Sequence, residues 1–178
     1  MITKNYSKNS FIRDLILIEE PTRKLKCYGL NKEGKILLEV INTKKDCEEV
    51  IELLMSQYRR LRNILIIPNL KNKEYSENIL VVSKGFRDLF VEMLAHIPQH
   101  VIEVDEVINR KGLVKKPLKE NEINKMLREV FRSTKKQLVI TLFNSIINPL
   151  HEKNMENVLT TAGYRVEISS NIFYQNKG

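Results

Sequence analysis

The chain has 178 residues, 42% of them hydrophobic, with six glycines, five prolines and two cysteines, and its formal net charge is +8. This length predicts one folded domain over residues 1–178, frayed at 1–9 and 173–178. The composition excludes a disulfide scaffold. Without a signal peptide or an apolar run of about 18 residues, it predicts a cytoplasmic protein with no membrane contact.

Short β-rich runs alternate with turn signals in the first third of the chain. Strands are predicted over residues 10–20, 24–30 and 35–41, with turns between them at 21–23 and 31–34, so this region should form an antiparallel meander. A helix capped by Asp46 should follow, because apolar residues from Cys47 to Leu61 recur at helical spacing. Cys47 lies on that apolar stripe, which indicates core packing rather than nucleophilic chemistry.

Two short and almost wholly apolar runs come next, at residues 63–69 and 78–85, on either side of the polar segment 71–77. Such runs are typical of strands that are covered on both faces. From Phe86 to Ile97 the apolar spacing becomes helical, and Pro98 ends that helix. Residues 101–109 and 113–117, joined by a turn at 109–112, then predict a β-hairpin at the rim of the sheet.

The last third continues the alternation of helix and strand. A helix with one apolar side precedes a strand over 137–143, and a helix that starts at Asn148 and stops at Gly163 precedes a strand over 164–169. The apolar side of the first of these helices comprises Ile123, Met126, Leu127, Val130 and Phe131. Alternation of this kind implies an α/β protein, with a mixed sheet and helices on both faces of the sheet.

The spacing of glycine and histidine excludes the common phosphate-loop and zinc motifs. The glycines are all well separated, whereas a nucleotide loop needs closely spaced glycines so that backbone N–H groups can approach the phosphates. His151 and Glu152 have no second histidine at zinc-protease spacing. The sequence therefore predicts no metal and no cofactor, and the acidic residues Glu103, Asp105 and Glu106 are expected on the hairpin surface rather than as a carboxylate pair.

The segment from Asn148 to Glu152 has the residues of a helix start. Asn148 is a good N-cap, Pro149 suits the first helical position, and Glu152 favours the helix dipole. His151 fits less well, because a protonated imidazole is disfavoured near a helix N-terminus. A structural histidine is favoured over a ligand or a base, and His151 and Glu152 are kept as possible functional residues.

A second polar cluster, residues 83–88, lies where a predicted strand meets a helix, which is a common position for ligands in α/β proteins. In the functional interpretation, Lys84, Gly85 and Arg87 hold an anion beside the helix N-terminus, and Asp88 is a further candidate. In the scaffold interpretation, which is favoured, Gly85 supplies the turn and Asp88 favours the helix dipole.

The positive net charge allows an anionic partner. However, the basic runs at 59–62 and 110–116 are short, and neither carries the interleaved aromatic residues of single-strand binders. A nucleic-acid or polyanion-binding module is therefore an alternative that is not favoured.

Four stretches of the chain combine predicted strands with a strand-to-helix junction, a hairpin and a helix start. They lie at residues 13–20, 81–90, 102–123 and 142–172. They read RDLILIEE, VVSKGFRDLF, IEVDEVINRKGLVKKPLKENEI and LFNSIINPLHEKNMENVLTTAGYRVEISSNI. In this order they resemble the N-terminal domain of the hydantoinase/oxoprolinase family, which includes hydantoinase A subunits, 5-oxoprolinases and acetone carboxylase subunits. The resemblance implies an actin-like, ribonuclease-H-like fold, and relatives that perform ATP-assisted ring opening of cyclic amides or related carboxylations.

Two phosphate-binding segments of that family are missing here. The family's Asp-x-Gly-Gly-Thr-Phe-Thr-Asp loop is replaced by ITKNYSKNSFIRD, and its His-Gly-Thr-Thr-x-x-x-Asn segment by IPNLKNKEYSEN. Family members also continue into a second lobe, whereas this chain stops at Gly178.

The leading hypothesis is a stand-alone, degenerate N-terminal-type domain that is not catalytic alone. The enzyme alternative is one half of a split ATP-dependent cyclic-amide hydrolase, with a partner subunit supplying the second lobe. ATP is implied only by the resemblance.

Overall fold

The computed structural model describes residues 2–5, 12–19, 25–42, 52, 55–56, 60–67, 78–89, 100–134 and 137–174. Several predicted features lie outside these ranges. They are the turn at 21–23, most of the helix after Asp46 including Cys47, the polar segment 71–77, and the continuation of the next helix beyond Leu89.

Five strands form the first sheet, in the order β1-β4-β3-β2-β5. They are β1 (Ile2–Asn5), β2 (Asp14–Glu19), β3 (Leu25–Leu30), β4 (Ile36–Asn42) and β5 (Asn63–Ile67). Strands β2, β3 and β4 are antiparallel neighbours, which confirms the predicted meander, and β5 runs parallel to β2, which makes the sheet mixed. Strand β1 pairs antiparallel with β4, although residues 1–9 were predicted to be frayed.

Four parallel strands form the second sheet, in the order β11-β10-β6-β7. They are β6 (Ile79–Ser83), β7 (Val101–Val104), β10 (Gln137–Thr141) and β11 (Arg165–Ile168). The helices are α1 (Phe86–Leu89), α2 (Glu120–Arg132), α3 (Leu150–Thr161) and α4 (Ser169–Tyr174). The longest described helix, α2, has 13 residues, so within the described ranges none reaches the length needed to cross a bilayer.

The predicted hairpin is present but shorter than expected. Strand β8 (Val107–Ile108) pairs antiparallel with β9 (Val114–Lys116), and Asn109 Oδ1 stabilises the turn by accepting the N–H groups of Lys111 and Leu113. Residues 101–104, predicted in the same hairpin strand, belong instead to the parallel sheet as β7, because the strand is interrupted at residues 105–106.

Each face of the parallel sheet packs against different elements. On one face, Val81 and Ile140 belong to a core cluster with Met126 of α2 and Met155 of α3. The opposite face, which includes Val82, shares a second cluster with α1 and with strands β2 and β5 of the first sheet. The α/β class with mixed strand pairing is therefore confirmed, and the strands form two main sheets rather than one.

One residue on the predicted apolar side of α2 lies at the surface. Phe131 is 59% exposed, whereas Met126 and Val130 on the same helix are fully buried. The ring of Phe131 stacks on that of Tyr164, with centroids 6.0 Å apart. The prediction that Phe131 lies on the buried side is thus wrong, because the last turn of the helix reaches the edge of the core.

Asn144 joins the two sheets and the hairpin. It is fully buried just beyond β10, and it is the one non-glycine residue of the described ranges with a positive φ, 61°. Its Oδ1 accepts the N–H of Ile64 at 2.9 Å, and its Nδ2 donates to the carbonyls of Arg62 and Ile108 at 3.1 and 2.8 Å. Its own N–H donates to the carbonyl of Ile64 at 2.8 Å. One residue therefore fixes β5, β8 and the end of β10 relative to one another.

Glu152, in the first turn of α3, is also fully buried. Its Oε1 accepts the N–H of Leu142 and the hydroxyl of Ser169 at 3.0 and 2.6 Å, and its Oε2 accepts the N–H and hydroxyl of Ser170 at 3.0 and 2.7 Å. Burial raises the pKa of this carboxyl, and the donated hydrogen bonds act against that rise. The carboxylate thus ties α3 to the end of β10 and to the first turn of α4, where backbone N–H groups have no helical partner.

Replacement of Asn144 by Ala should lower the free energy of unfolding by about 3 kcal/mol or more, because buried backbone groups lose their partners and Ala is strained at a positive φ. Asn144→Gly relieves the strain alone, so it should be about 1 kcal/mol more stable than Asn144→Ala. Urea denaturation measures both values. Asn154→Ala, at an exposed position of α3, is the control and should stay within about 0.5 kcal/mol of the wild type. An unchanged Asn144→Ala variant would contradict this role.

Candidate functional site

A cleft of about 1160 Å³ lies at the carboxyl ends of β6 and β10. Its lining comes from segments that are distant in sequence: Arg13 before β2, Asn63 at the start of β5, Lys84 after β6, the β8–β9 hairpin, and Phe143 after β10. This is the edge of a parallel sheet at which α/β proteins usually bind ligands.

The predicted site residues fall into three groups. Lys84, Gly85 and Asp88 line the cleft, and Lys84 and Asp88 are exposed, whereas Arg87 is exposed but is not among the lining residues. His151 and Glu152 are buried behind it, with relative exposures of 3% and 0%. The structure therefore brings three of the four predicted junction residues to the cleft but keeps the two residues of the α3 start away from solvent.

The junction after β6 already holds a carboxylate. Gly85 has φ of 93°, and the N–H groups of Gly85 and Arg87 donate to Glu103 at 3.0 and 3.3 Å. The guanidinium of Arg87 also lies 3.8 Å from Glu103 and donates to the carbonyl of Val101. An external anion at this position would have to displace Glu103. Anion binding by Lys84, Gly85 and Arg87 stays a prediction.

Glu103, Asp105 and Glu106 were all predicted to lie on the hairpin surface. The structure does not place all three there. Glu103 caps the junction, and Glu106 is only 3% exposed. Asp105 is partly exposed and bonds to Lys116, and the pKa of its carboxyl is lowered first by that hydrogen bond. The prediction of a surface position is wrong for Glu106, because the chain turns inward where β7 ends and carries Glu106 beneath the hairpin.

Glu106 is the centre of a buried hydrogen-bonded chain. Its Oε1 accepts the hydroxyl of Ser83, whose oxygen in turn accepts the N–H of Phe143 at 2.9 Å. Its Oε2 lies 2.7 Å from Nδ1 of His151. The N–H of Leu118 donates to Nε2 of His151 at 3.4 Å. With Nε2 accepting this bond, the ring donates from Nδ1 to Glu106.

Ser83, Glu106 and His151 contain the residue types of a nucleophilic triad but not its order. In a triad the histidine lies between the hydroxyl and the carboxylate and takes the hydroxyl proton. Here the carboxylate lies between the other two, and both nitrogens of His151 are engaged. All three side chains are also buried. The chain of contacts therefore holds β6, the hairpin and α3 together and lacks the histidine base that activates the hydroxyl in a triad.

Asp14 is a buried acidic residue that sequence reasoning did not single out. It is 1% exposed, and Asn63 Nδ2 donates to its Oδ1 at 2.9 Å. Its Oδ2 and Nε of Arg13 lie 3.8 Å apart, and both are buried atoms without a hydrogen-bond partner. Burial raises the pKa of this carboxyl, opposed by Asn63, Arg13 and Arg62. The sequence signal that could have indicated this residue is the charged pair Arg13–Asp14 where the apolar strand β2 begins.

The cleft is strongly basic. Its cationic side chains are Arg13, Arg62, Lys84, Arg110, Lys111 and Lys115, and its acidic ones are Asp88 and Glu106. No group of three or more metal-ligating side chains occurs within the described ranges. The site thus suits an anionic group better than a cation.

Comparison with known proteins gives one family. The hydantoinase/oxoprolinase N-terminal region matches residues 65–163, a range that includes the β6–α1 junction, the hairpin, Asn144, His151 and Glu152. Arg13, Asp14 and Arg62 lie outside the matched range. No curated protein matches the chain.

Two solved structures are similar to the chain. One is an acetone carboxylase, in a nucleotide-free structure bearing on the mechanism of ATP-dependent acetone carboxylation, at 13% identity and a TM-score of 0.45, covering 90% of this chain and 29% of that one. The other is the ATP-dependent caprolactamase from Pseudomonas jessenii, at 14% identity and a TM-score of 0.46, covering 87% of this chain and 28% of that one. The chain spans less than a third of either protein. Because the family match covers more than half of the sequence, the chain belongs to the hydantoinase/oxoprolinase N-terminal region family.

Proposed function

We propose that this chain is a degenerate N-terminal-type module of the hydantoinase/oxoprolinase family, which neither hydrolyses ATP nor opens cyclic amides by itself and acts through a partner polypeptide. The observation that carries the proposal is the occupied junction after β6. The backbone N–H groups of Gly85 and Arg87, which could otherwise donate to an anion there, donate to Glu103 of the same chain.

The missing glycine-rich segments support the same conclusion. Phosphoryl transfer depends on positioned donors that neutralise charge in the transition state. The segments that carry such donors in the family are replaced by residues 2–14 and 67–78, which contain no glycine. Ser83, Glu106 and His151 are buried, and Glu106 rather than His151 lies in the middle. This arrangement also supports a structural role for these groups rather than a catalytic one.

The second candidate is one half of a split ATP-dependent cyclic-amide hydrolase. It is favoured by the family match over 65–163, which includes the cleft residues Lys84 and Asp88. In that case catalysis would require a second chain that completes the cleft. The cleft residues of this chain would then act only in the assembled complex.

The purified chain should release no phosphate from Mg-ATP and should open neither 5-oxoproline nor hydantoin above the rate of a protein-free blank. Coupled phosphate release and chromatography of the ring-opened products measure the two activities. Turnover of either cyclic amide by the isolated chain would overturn the proposal. Turnover that appears only on addition of a second polypeptide would support the split-hydrolase candidate instead.

His151 should prove structural in a comparison of two replacements, one by asparagine and one by alanine. In His151→Asn the side-chain N–H₂ can take the position of Nδ1 and donate to Glu106, whereas in His151→Ala Glu106 loses that partner. We expect His151→Ala to lower the free energy of unfolding by about 2–4 kcal/mol, and His151→Asn to recover part of the loss.

Thermal and urea unfolding provide the measurement for the His151 variants. Lys153→Ala, at an exposed position of the same helix, is the control and should remain within about 0.5 kcal/mol of the wild type. A His151→Ala variant with wild-type stability but lost partner binding would show a functional rather than a structural histidine.

A further inference from the structure

Four of the six cations that line the cleft have no acidic partner among the described residues. Arg62, Lys84, Lys111 and Lys115 form no ion pair within 4.0 Å there, whereas Lys116 pairs with Asp105. Of the two acidic residues that line the cleft, Glu106 is already bonded to Ser83 and His151, which leaves Asp88. Positive charge concentrated in this way favours an anionic occupant and accelerates its association.

The hairpin wall of the cleft also exposes apolar side chains. Val107, Leu113 and Val114 are 43%, 54% and 39% exposed, and Val107 and Leu113 line the cleft. An occupant that carries both negative charge and apolar side chains would bury this surface and pair with the neighbouring lysines.

Strand β9 offers an open edge. Its one neighbour among the described strands is β8, and its residues Val114, Lys115 and Lys116 are all exposed. An edge strand of this kind can accept an added strand, whose backbone supplies affinity and whose alternate side chains supply specificity. Lys115, which lines the cleft and has no ion pair among the described residues, would select an acidic side chain in the added strand.

The size and lining of the cleft favour a polypeptide over other anions. At about 1160 Å³ the cleft exceeds the range of about 300–1,000 Å³ that is typical of small-molecule pockets. Among the described lining residues the one aromatic ring is that of Phe143, which is only 9% exposed, whereas single-stranded nucleic acids bind by stacking on exposed rings.

We propose that this cleft docks an extended, acidic segment of a partner polypeptide, in which carboxylates meet Arg62 and the three unpaired lysines and apolar side chains cover Val107 and Leu113. The inference deepens the proposed function, which requires a partner but does not say where it binds. It does not depend on whether the assembled complex is catalytic.

Fluorescence anisotropy with labelled decapeptides tests the docking site. An alternating Glu–Val peptide should bind the full chain more tightly than a Glu–Ser peptide, which lacks the apolar side chains, and a Lys–Val peptide, which reverses the charge, should not bind. Binding of the Glu–Val peptide should weaken as salt rises, because exposed charges are screened. Equal binding of the Glu–Val and Lys–Val peptides, or tighter binding of a single-stranded oligothymidylate, would overturn the proposal.

Charge reversal locates the site. Lys115→Glu should weaken binding of the Glu–Val peptide about tenfold, which corresponds to about 1.4 kcal/mol. Lys153→Glu, which makes the same change of charge at an exposed position of α3 outside the cleft, should change it less than about twofold. Equal effects of the two substitutions would refute docking in the cleft. The peptide series on the wild type decides the chemistry of the occupant even if a variant fails to fold, and it is independent of the catalytic assays.

Discussion

The contacts of Asn144 are the constraint on which this structure depends most. The residue sits at a positive φ beyond β10, and its amide joins backbone groups of β5 and β8 that are 80 and 36 residues away in sequence. That connection holds the hairpin and the start of β5 against the end of the parallel strand β10. These three segments supply walls of the cleft and meet at this one residue.

Buried polar groups of this chain are satisfied mainly by the chain itself. Glu152 accepts four hydrogen bonds that close the turns around α3 and α4. Glu106 links Ser83 to His151, and Glu103 takes the N–H groups that open α1. A carboxylate that is used in this way stabilises the scaffold and removes donors from any external phosphate. The carboxylates of Glu103, Glu106 and Glu152 therefore stabilise the fold through bonds within the chain.

Local sequence patterns predicted the elements well and the polar contacts poorly. The apolar runs of β5, β6 and β10 and the Asn109–Gly112 turn depend on neighbouring residues, and the structure has them near the predicted places. The start of α3 was predicted one residue too early: Asn148 accepts the N–H of Leu150, but the helix begins at Leu150 and Pro149 holds the N-cap position. The burial of Glu106 was not predicted, because its partner His151 is 45 residues away and only the tertiary fold brings them together. Asp14 was missed for the same reason, as its partner Asn63 lies 49 residues away on β5.

Glu103 occupies the backbone N–H groups of Gly85 and Arg87, and an NMR titration tests most directly whether it keeps an external anion from them. The amide signals of Gly85 and Arg87 should not move when Mg-ATP is added to the wild type. They should move in Glu103→Gln, which weakens the internal acceptor by removing its charge. A saturable shift of both amides in the wild type would contradict the account.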